Sequence, residues 1–137
     1  MDGLKLRKNF PEIADAIVSE AEKAYEGLLI LPGTMGKRFF VGSPVKWDEN
    51  PVGNKEYVYS LNRMGHLKMM AEAYAITGES RFRDKVLSEL RRWTETILPP
   101  SLDDIDAFSE CSPWRALEVG SRGYSSWPAI IDSIPES

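Results

Sequence analysis

Two long helix-forming segments that meet at Gly78 constrain the fold more than any other feature of this sequence. The first begins at Asn54, a favourable N-cap, and is predicted to run to Thr77. The second is predicted to run from Glu79 to Ile97 and carries one apolar stripe at helical spacing: Phe82, Val86, Leu90, Trp93 and Ile97. Because the connection has only one or two residues, the two helices must pack antiparallel, side by side.

Helices are also predicted on either side of this hairpin. Pro11 suits a first helical turn, so we expect a helix over Pro11–Glu26. Residues 28–53 contain frequent glycine and proline, which indicates an ordered connection with one weak hairpin. A fourth helix is expected to begin near Pro113 and to reach Tyr124 or beyond. The sequence therefore predicts an all-α fold of antiparallel helical hairpins.

Composition and charge limit the classes of function. With 137 residues, 42% hydrophobic and 28% charged, the chain is long enough to form a single helical domain over residues 1–137. The net charge of −4 predicts no general attraction to nucleic acid or to an anionic membrane. A polyanionic ligand would therefore need a local cluster of cationic side chains.

The residue types that build metal and cofactor sites are scarce. Cys111 and His66 are the single Cys and His, which excludes an internal disulfide and a Cys- or His-rich metal site. The sequence has no Gly-rich phosphate loop, nucleophile elbow or nucleotide fingerprint, so no metal and no cofactor are expected. No apolar run approaches the ~20 residues of a membrane span, and the first eight residues lack the apolar segment of a secretion signal.

The first candidate site lies near the start of the helix predicted after Asn54. Helical spacing places four residues on one strip, polar at its N-terminal half and apolar beyond: Asn62, His66, Met69 and Ala73. Tyr59, Arg63 and Met70 flank the strip. Such a helix could line a solvent-filled cleft with its polar end. For His66 alone, hydrogen bonding to Asn62 or to loop backbone is the better explanation, whereas for the polar group both interpretations stay open.

The second candidate site is formed by Trp114, Glu118 and Arg122, spaced four residues apart on the fourth predicted helix. Glu118 precedes Arg122 in the favourable order for an ion pair, which alone contributes only ~0.2–0.5 kcal/mol. A purely structural ion pair is enough to explain these two residues. The functional interpretation adds Trp114, since an indole stacks on a sugar ring while Arg binds a carboxylate or sulfate through two hydrogen bonds.

The remaining aromatic and acidic residues carry weaker signals. Trp93 lies in the apolar stripe and is assigned to the core, whereas for Trp47 and Trp127 core and ligand contact both stay open. A loop between residues 102 and 112 holds four acidic residues without calcium-loop spacing, and we expect it to be solvated: Asp103, Asp104, Asp106 and Glu110.

The order of short motifs between residues 47 and 130 resembles the N-terminal domain of heparinase II/III-like polysaccharide lyases. That family includes oligoalginate and glycosaminoglycan lyases. The segments that carry the resemblance are, in order, Trp47, Asn50–Pro51, Leu61–Arg63, His66–Leu67, Ala73–Glu79, Arg92–Trp93, Pro99–Pro100, Trp114 and Leu117–Arg122. Residues 1–46 match only as a helix and a loop of suitable length.

The resemblance implies part of an incomplete (α/α) toroid that binds an acidic polysaccharide and is followed by a β-sandwich domain. Cleavage in the family is by β-elimination, and its catalytic Tyr, His and Asn–His pair would lie beyond Ser137, so no catalytic residue is expected here. Asn62 and His66 are not that pair. The residues expected to line or support the sugar cleft are Asn62, Arg63, His66, Trp114, Glu118 and Arg122.

The resulting expectation is a lyase domain that supplies scaffold and part of the cleft and is inactive alone. Its partners would be an acidic polysaccharide, the remaining toroid and β-sandwich domains, and a second copy through an exposed helical flank. The parent family implies a periplasmic or secreted location, and a cytoplasmic one stays open. Two alternatives are a short non-catalytic binding protein and a helical-repeat interaction module, although no 34-residue repeat follows Ala71–Arg83.

Overall fold

The computed structural model describes residues 1–101, 103, 106 and 112–135 and is helical apart from one two-stranded sheet. In chain order the elements are α1 (Gly3–Asn9), α2 (Pro11–Tyr25), β1 (Leu28–Leu29), β2 (Phe39–Phe40), α3 (Lys55–Asn62), α4 (Gly65–Thr77), α5 (Ser80–Thr96), a 3₁₀ turn (Ser112–Trp114), α6 (Ala116–Ser121), a π-helical turn (Arg122–Ser126) and α7 (Trp127–Ser133). Within these residues no helix is long and apolar enough to cross a membrane.

The predicted hairpin is formed by α4 and α5. Gly78 ends α4 in the left-handed conformation, at φ 72°, and its backbone N–H donates to the Tyr74 carbonyl. Glu79 then forms the N-cap of α5. The apolar stripe of α5 is buried at Phe82, Val86, Trp93 and the C-cap Ile97. Both the hairpin and the core position of Trp93 are therefore confirmed.

Small residues set the packing of α1 and α2 against α4. The face of α2 turned inward is made of alanine, with Ala14, Ala21 and Ala24 buried. In α1, Gly3 lies against the backbone of Ala75 in α4. The sequence did not predict α1, because seven mostly exposed residues give no apolar periodicity. Its N-cap Asp2, whose side chain accepts from the Lys5 N–H, carries the only local signal we find.

The single helix predicted from Asn54 to Thr77 is wrong at its centre. Asn54 does cap α3, but the chain breaks at Met64, which adopts φ 62° in the left-handed region. That conformation costs a residue with a side chain roughly 1–2 kcal/mol. Met64 is completely buried and its sulfur accepts a hydrogen bond from Trp127 Nε1 at 3.3 Å. Tertiary packing therefore supports the break, and the only local signal is a weak one: Gly65, the next residue, since glycine weakens a helix interior.

The connection between α2 and α3 is ordered and contains one short hairpin, as predicted. Leu28 pairs with Phe40 and Leu29 with Phe39 in an antiparallel sheet. Farther along, the backbone N–H of Val45 donates to the buried carboxylate of Glu89 on α5, at 3.1 and 3.3 Å.

The fourth predicted helix is present but irregular. It is divided into the 3₁₀ turn, α6, the π-helical turn and α7, which packs on α4. Most of the acidic loop predicted before it lies outside the described residues, including Asp104 and Glu110.

We predict that Gly3→Ala lowers the free energy of unfolding by about 2 kcal/mol, because the new Cβ would overlap the carbonyl of Ala75 and push α1 from α4. Gly120→Ala is the matched control. No atom lies within 4 Å of its new Cβ, so helix propensity should raise stability by up to about 1 kcal/mol. Urea denaturation measures both, and equal stability of the two variants would refute the close packing of α1.

Candidate functional site

Asn62 is the centre of a buried polar network. Its side-chain Nδ2 donates to the carbonyls of Trp47, at 2.8 Å, and of Val58, at 2.9 Å. Its Oδ1 accepts from Trp93 Nε1 at 2.9 Å, and its backbone carbonyl accepts from Arg122 Nη1 at 2.9 Å. Asn62 is completely buried, so these bonds join the long connection, α3, α5 and the π-helical turn.

Arg122 lies inside this network, enclosed by aromatic rings. Its guanidinium carbon lies 4.8, 5.4 and 5.6 Å from the ring centroids of Trp93, Trp114 and Trp127. The side chain is completely buried, and its Nε and Nη2 have no hydrogen-bond partner in the described part of the chain. Burial lowers the pKa of Arg122 to about 10, although the charge of Glu118 opposes the shift. Cation–π attraction to three indoles therefore replaces much of the lost hydration.

Glu118 is also completely buried, but its partners are not the predicted one. Arg115 donates to it from Nε at 2.7 Å and from Nη2 at 2.9 Å, and Arg63 Nη2 donates at 3.0 Å. Arg122 binds the carbonyl of Asn62 instead, so the expected Glu118–Arg122 ion pair is wrong. Burial alone would raise the pKa of Glu118, but the bonds from Arg115 and Arg63 outweigh it and lower the pKa.

We define the arginine rim as the exposed edge of this cluster, formed by Arg63, Arg115 and Tyr59. The two arginine side chains are 32% and 29% exposed. The Arg115 guanidinium lies 3.6 Å from the centroid of the Tyr59 ring. Glu56 is the other acidic residue that influences Arg115. Part of each arginine side chain is thus exposed at the edge of the cluster.

Trp114 makes its main contacts with the core. Its ring centroid lies 5.3 Å from that of Trp93, and its Nε1 donates to the carbonyl of Ile97 at 3.2 Å. The ring is half-buried. Trp47 and Trp127, left open by the sequence, are buried and half-buried respectively, and each contacts another ring of the interior.

His66 lies apart from this network, because Met64 rotates α4 relative to α3. Its half-buried ring lies 5.3 Å from that of Trp47, and its Nε2 is buried without a hydrogen-bond partner among the described residues. The single strip predicted for Asn62 and His66 is therefore wrong. Burial lowers the pKa of His66 to about 4, with a further contribution from the charge of Lys85.

The structure thus brings five of the six predicted residues together, and His66 lies by a cavity elsewhere. Arg115 was missed, although its position three residues before Glu118 is a helical ion-pair spacing. Among the described residues, no three His, Cys, Asp or Glu side chains are placed to hold a metal ion.

Helical hairpins around a buried arginine–tryptophan cluster, with a cationic rim, define an (α/α) scaffold domain that can present guanidinium groups to an anionic ligand. The sequence matches the family described as Heparinase II/III N-terminus over residues 5–134, so the chain belongs to that family. Its fold is accordingly part of an (α/α) toroid. No curated protein shows a significant match.

Solved lyase structures share the fold. Heparan sulfate lyase HepC from Pedobacter heparinus superimposes with a TM-score of 0.71 and 24% identity, over 89% of this chain. A mutant of that lyase gives 0.68 at 24% identity over 86% of this chain, and the heparinase III-BT4657 gene product gives 0.66 at 15% over 86%. The chain spans only 18% of each HepC chain and 21% of the heparinase III chain.

We predict that Glu118→Gln lowers the free energy of unfolding by about 2–3 kcal/mol, because it removes the charge that neutralises Arg63 and Arg115 at a buried position. Glu95→Gln, at an exposed position of α5, makes the same chemical change and should cost less than about 0.5 kcal/mol. If urea denaturation gave the two variants equal stability, the buried ion pair would not contribute to the fold.

We predict that His66 makes stability depend on pH between about 6.5 and 4. Its folded-state pKa is below the unfolded value, so the unfolded chain binds the proton first and stability falls as pH falls through this range. The wild type should lose about 2 kcal/mol more than His66→Gln over that interval. Because His66 is the only histidine, its ¹H NMR titration reports the pKa directly, and a value near 6.5 would contradict the prediction.

Proposed function

We propose that this chain is the scaffold and part of the sugar-binding cleft of a lyase that cleaves uronate-containing polysaccharide by β-elimination. The family match over residues 5–134 supports the lyase assignment. The single observation that supports sugar contact is the arginine rim, where two partly exposed arginine side chains share one buried carboxylate.

The balance of charge in the cluster favours an anionic ligand. The guanidinium groups of Arg63 and Arg115 bind the buried carboxylate of Glu118, and Arg122 lies near enough to be influenced by its charge. Glu56 lies at the edge, where its charge influences Arg115. The whole chain carries a net charge of −4, so this cationic excess is local. A uronate carboxylate or a sulfate at the rim would add a second anion and bring the cluster closer to neutrality.

The buried members of the cluster would act through the rim. Asn62, Glu118 and Arg122 are completely buried, so we assign them the task of holding Arg63, Arg115 and the indoles in place. Trp114, half-buried, can offer only one edge to a sugar. Direct sugar contact is therefore proposed for Arg63, Arg115 and Tyr59.

The chemistry of β-elimination also requires a base and donors that stabilise the developing enolate. The resemblance assigns those groups to other parts of a longer lyase, so we propose that this chain alone has no turnover. Further proposals from the same resemblance are a following β-sandwich domain and a periplasmic or secreted parent enzyme. Self-association through an exposed helical flank also stays a proposal, and the exposed Ile131 of α7 is compatible with it.

We predict that the purified chain binds heparan sulfate oligosaccharides weakly and through the rim. Arg115→Lys should weaken binding at least fivefold, because Lys keeps the charge but loses the planar fork. Arg91→Lys, at an exposed position of α5, makes the same change and should bind as the wild type does. NMR titration at Arg side-chain resonances measures the affinity of each variant. If Arg115→Lys and Arg91→Lys bound the oligosaccharide equally well, the arginine rim would not be part of the sugar-binding cleft.

We predict that the chain releases no unsaturated uronate product from heparan sulfate, hyaluronan or alginate. The ultraviolet absorbance of the new double bond, followed over hours at high protein concentration, measures this with an active lyase as positive control. Lyase activity that co-purifies with the chain through successive purification steps would contradict the proposal that catalysis requires other segments.

A further inference from the structure

We propose that the cavity beside His66 binds one uncharged N-acetylated sugar unit. The cavity lies between α2, β1, the end of α3 and the start of α4, and it has a volume of about 210 Å³. It is lined chiefly by aliphatic side chains, with four polar side chains among them: Glu20, Arg38, Ser60 and His66. It shares no residue with the arginine rim, so this site and the proposed function can fail separately.

The size of the cavity limits the ligand to one small unit. Pockets for drug-sized ligands usually span roughly 300–1,000 Å³. At about 210 Å³ the cavity is smaller, so it can enclose a single sugar ring or its substituent, with the rest of a chain left outside.

The charges at the cavity favour an uncharged ligand. Arg38 and Glu20 form an ion pair with each other at its edge, so the cavity lining carries no net charge, unlike the cationic rim. The His66 imidazole is neutral near pH 7 because burial holds its pKa well below the usual value. A carboxylate or ammonium group would therefore lose hydration on entering the cavity without meeting a net opposite charge.

The mixture of wall types favours an acetamido substituent. Leu29, Leu31 and Met69 provide an aliphatic surface against which a methyl group can pack. The half-buried Ser60 hydroxyl and the half-buried neutral imidazole offer uncharged hydrogen-bonding groups beside that surface. An acetamido group combines one methyl with one amide, whereas a plain hydroxyl lacks the apolar part.

Three monosaccharides test the ligand class with the intact chain. N-acetylglucosamine should shift the His66 imidazole resonance in ¹H NMR, with saturation in the millimolar range. Glucose lacks the acetamido group, and glucuronate carries a negative charge. Each should therefore bind at least fivefold more weakly than N-acetylglucosamine. Equal shifts from all three sugars, or no shift from N-acetylglucosamine, would overturn the proposal.

A variant of Gly65 tests the place of binding. Gly65 lines the cavity, and no atom lies within 4 Å of the position that a Cβ would occupy there, so Gly65→Leu should fill the cavity without disturbing the fold. Gly120→Leu makes the same change at another open position, on α6. Binding should be lost at least tenfold in the first variant and kept in the second. Unchanged binding in Gly65→Leu would show that the sugar does not bind in this cavity. If that variant does not fold, the comparison of the three sugars with the wild type tests the proposal.

Discussion

The hydrogen bonds of Asn62 are the interaction on which the rest of the structure depends. The side-chain amide of Asn62 binds the carbonyl of Trp47 in the long connection and the indole of Trp93 on α5, while the backbone carbonyl of Asn62 accepts from Arg122. All these groups lie in the interior, where an unpaired donor or acceptor costs about 1–3 kcal/mol. The connection, α5 and the π-helical turn are therefore all tied to α3 through one buried residue.

The arginine cluster carries an energetic cost. Arg122 is buried with two nitrogens lacking hydrogen-bond partners among the described residues, and Glu118 is buried against two arginines. Apolar residues of similar volume often stabilise a core as well as or better than buried ions. Under the proposed function, rigid placement of Arg63 and Arg115 would account for such a cluster, since the buried carboxylate fixes both side chains before any ligand binds.

Sequence patterns predicted the features that depend on local chemistry. Pro11, Asn54 and Gly78 mark helix ends through backbone geometry and capping. The apolar residues of α5 recur at helical spacing, and that spacing predicts which face of the helix is buried. The break at Met64 could not be predicted in this way, because its left-handed conformation is maintained by contacts with Trp127, 63 residues later. The same holds for Arg63, a partner of Glu118 that lies 55 residues away in the sequence, whereas Arg115, three residues before Glu118, has a helical ion-pair spacing.

That break also divides the polar residues of one predicted face between two sites. A continuous helix would have placed Asn62 and His66 one turn apart on a single strip. With Met64 in the left-handed region, Asn62 turns toward Trp93 and Arg122, while His66 reaches the cavity by α2 and β1. One residue in an unfavourable backbone conformation thus lets a short segment contribute Asn62 to the arginine cluster and His66 to the cavity.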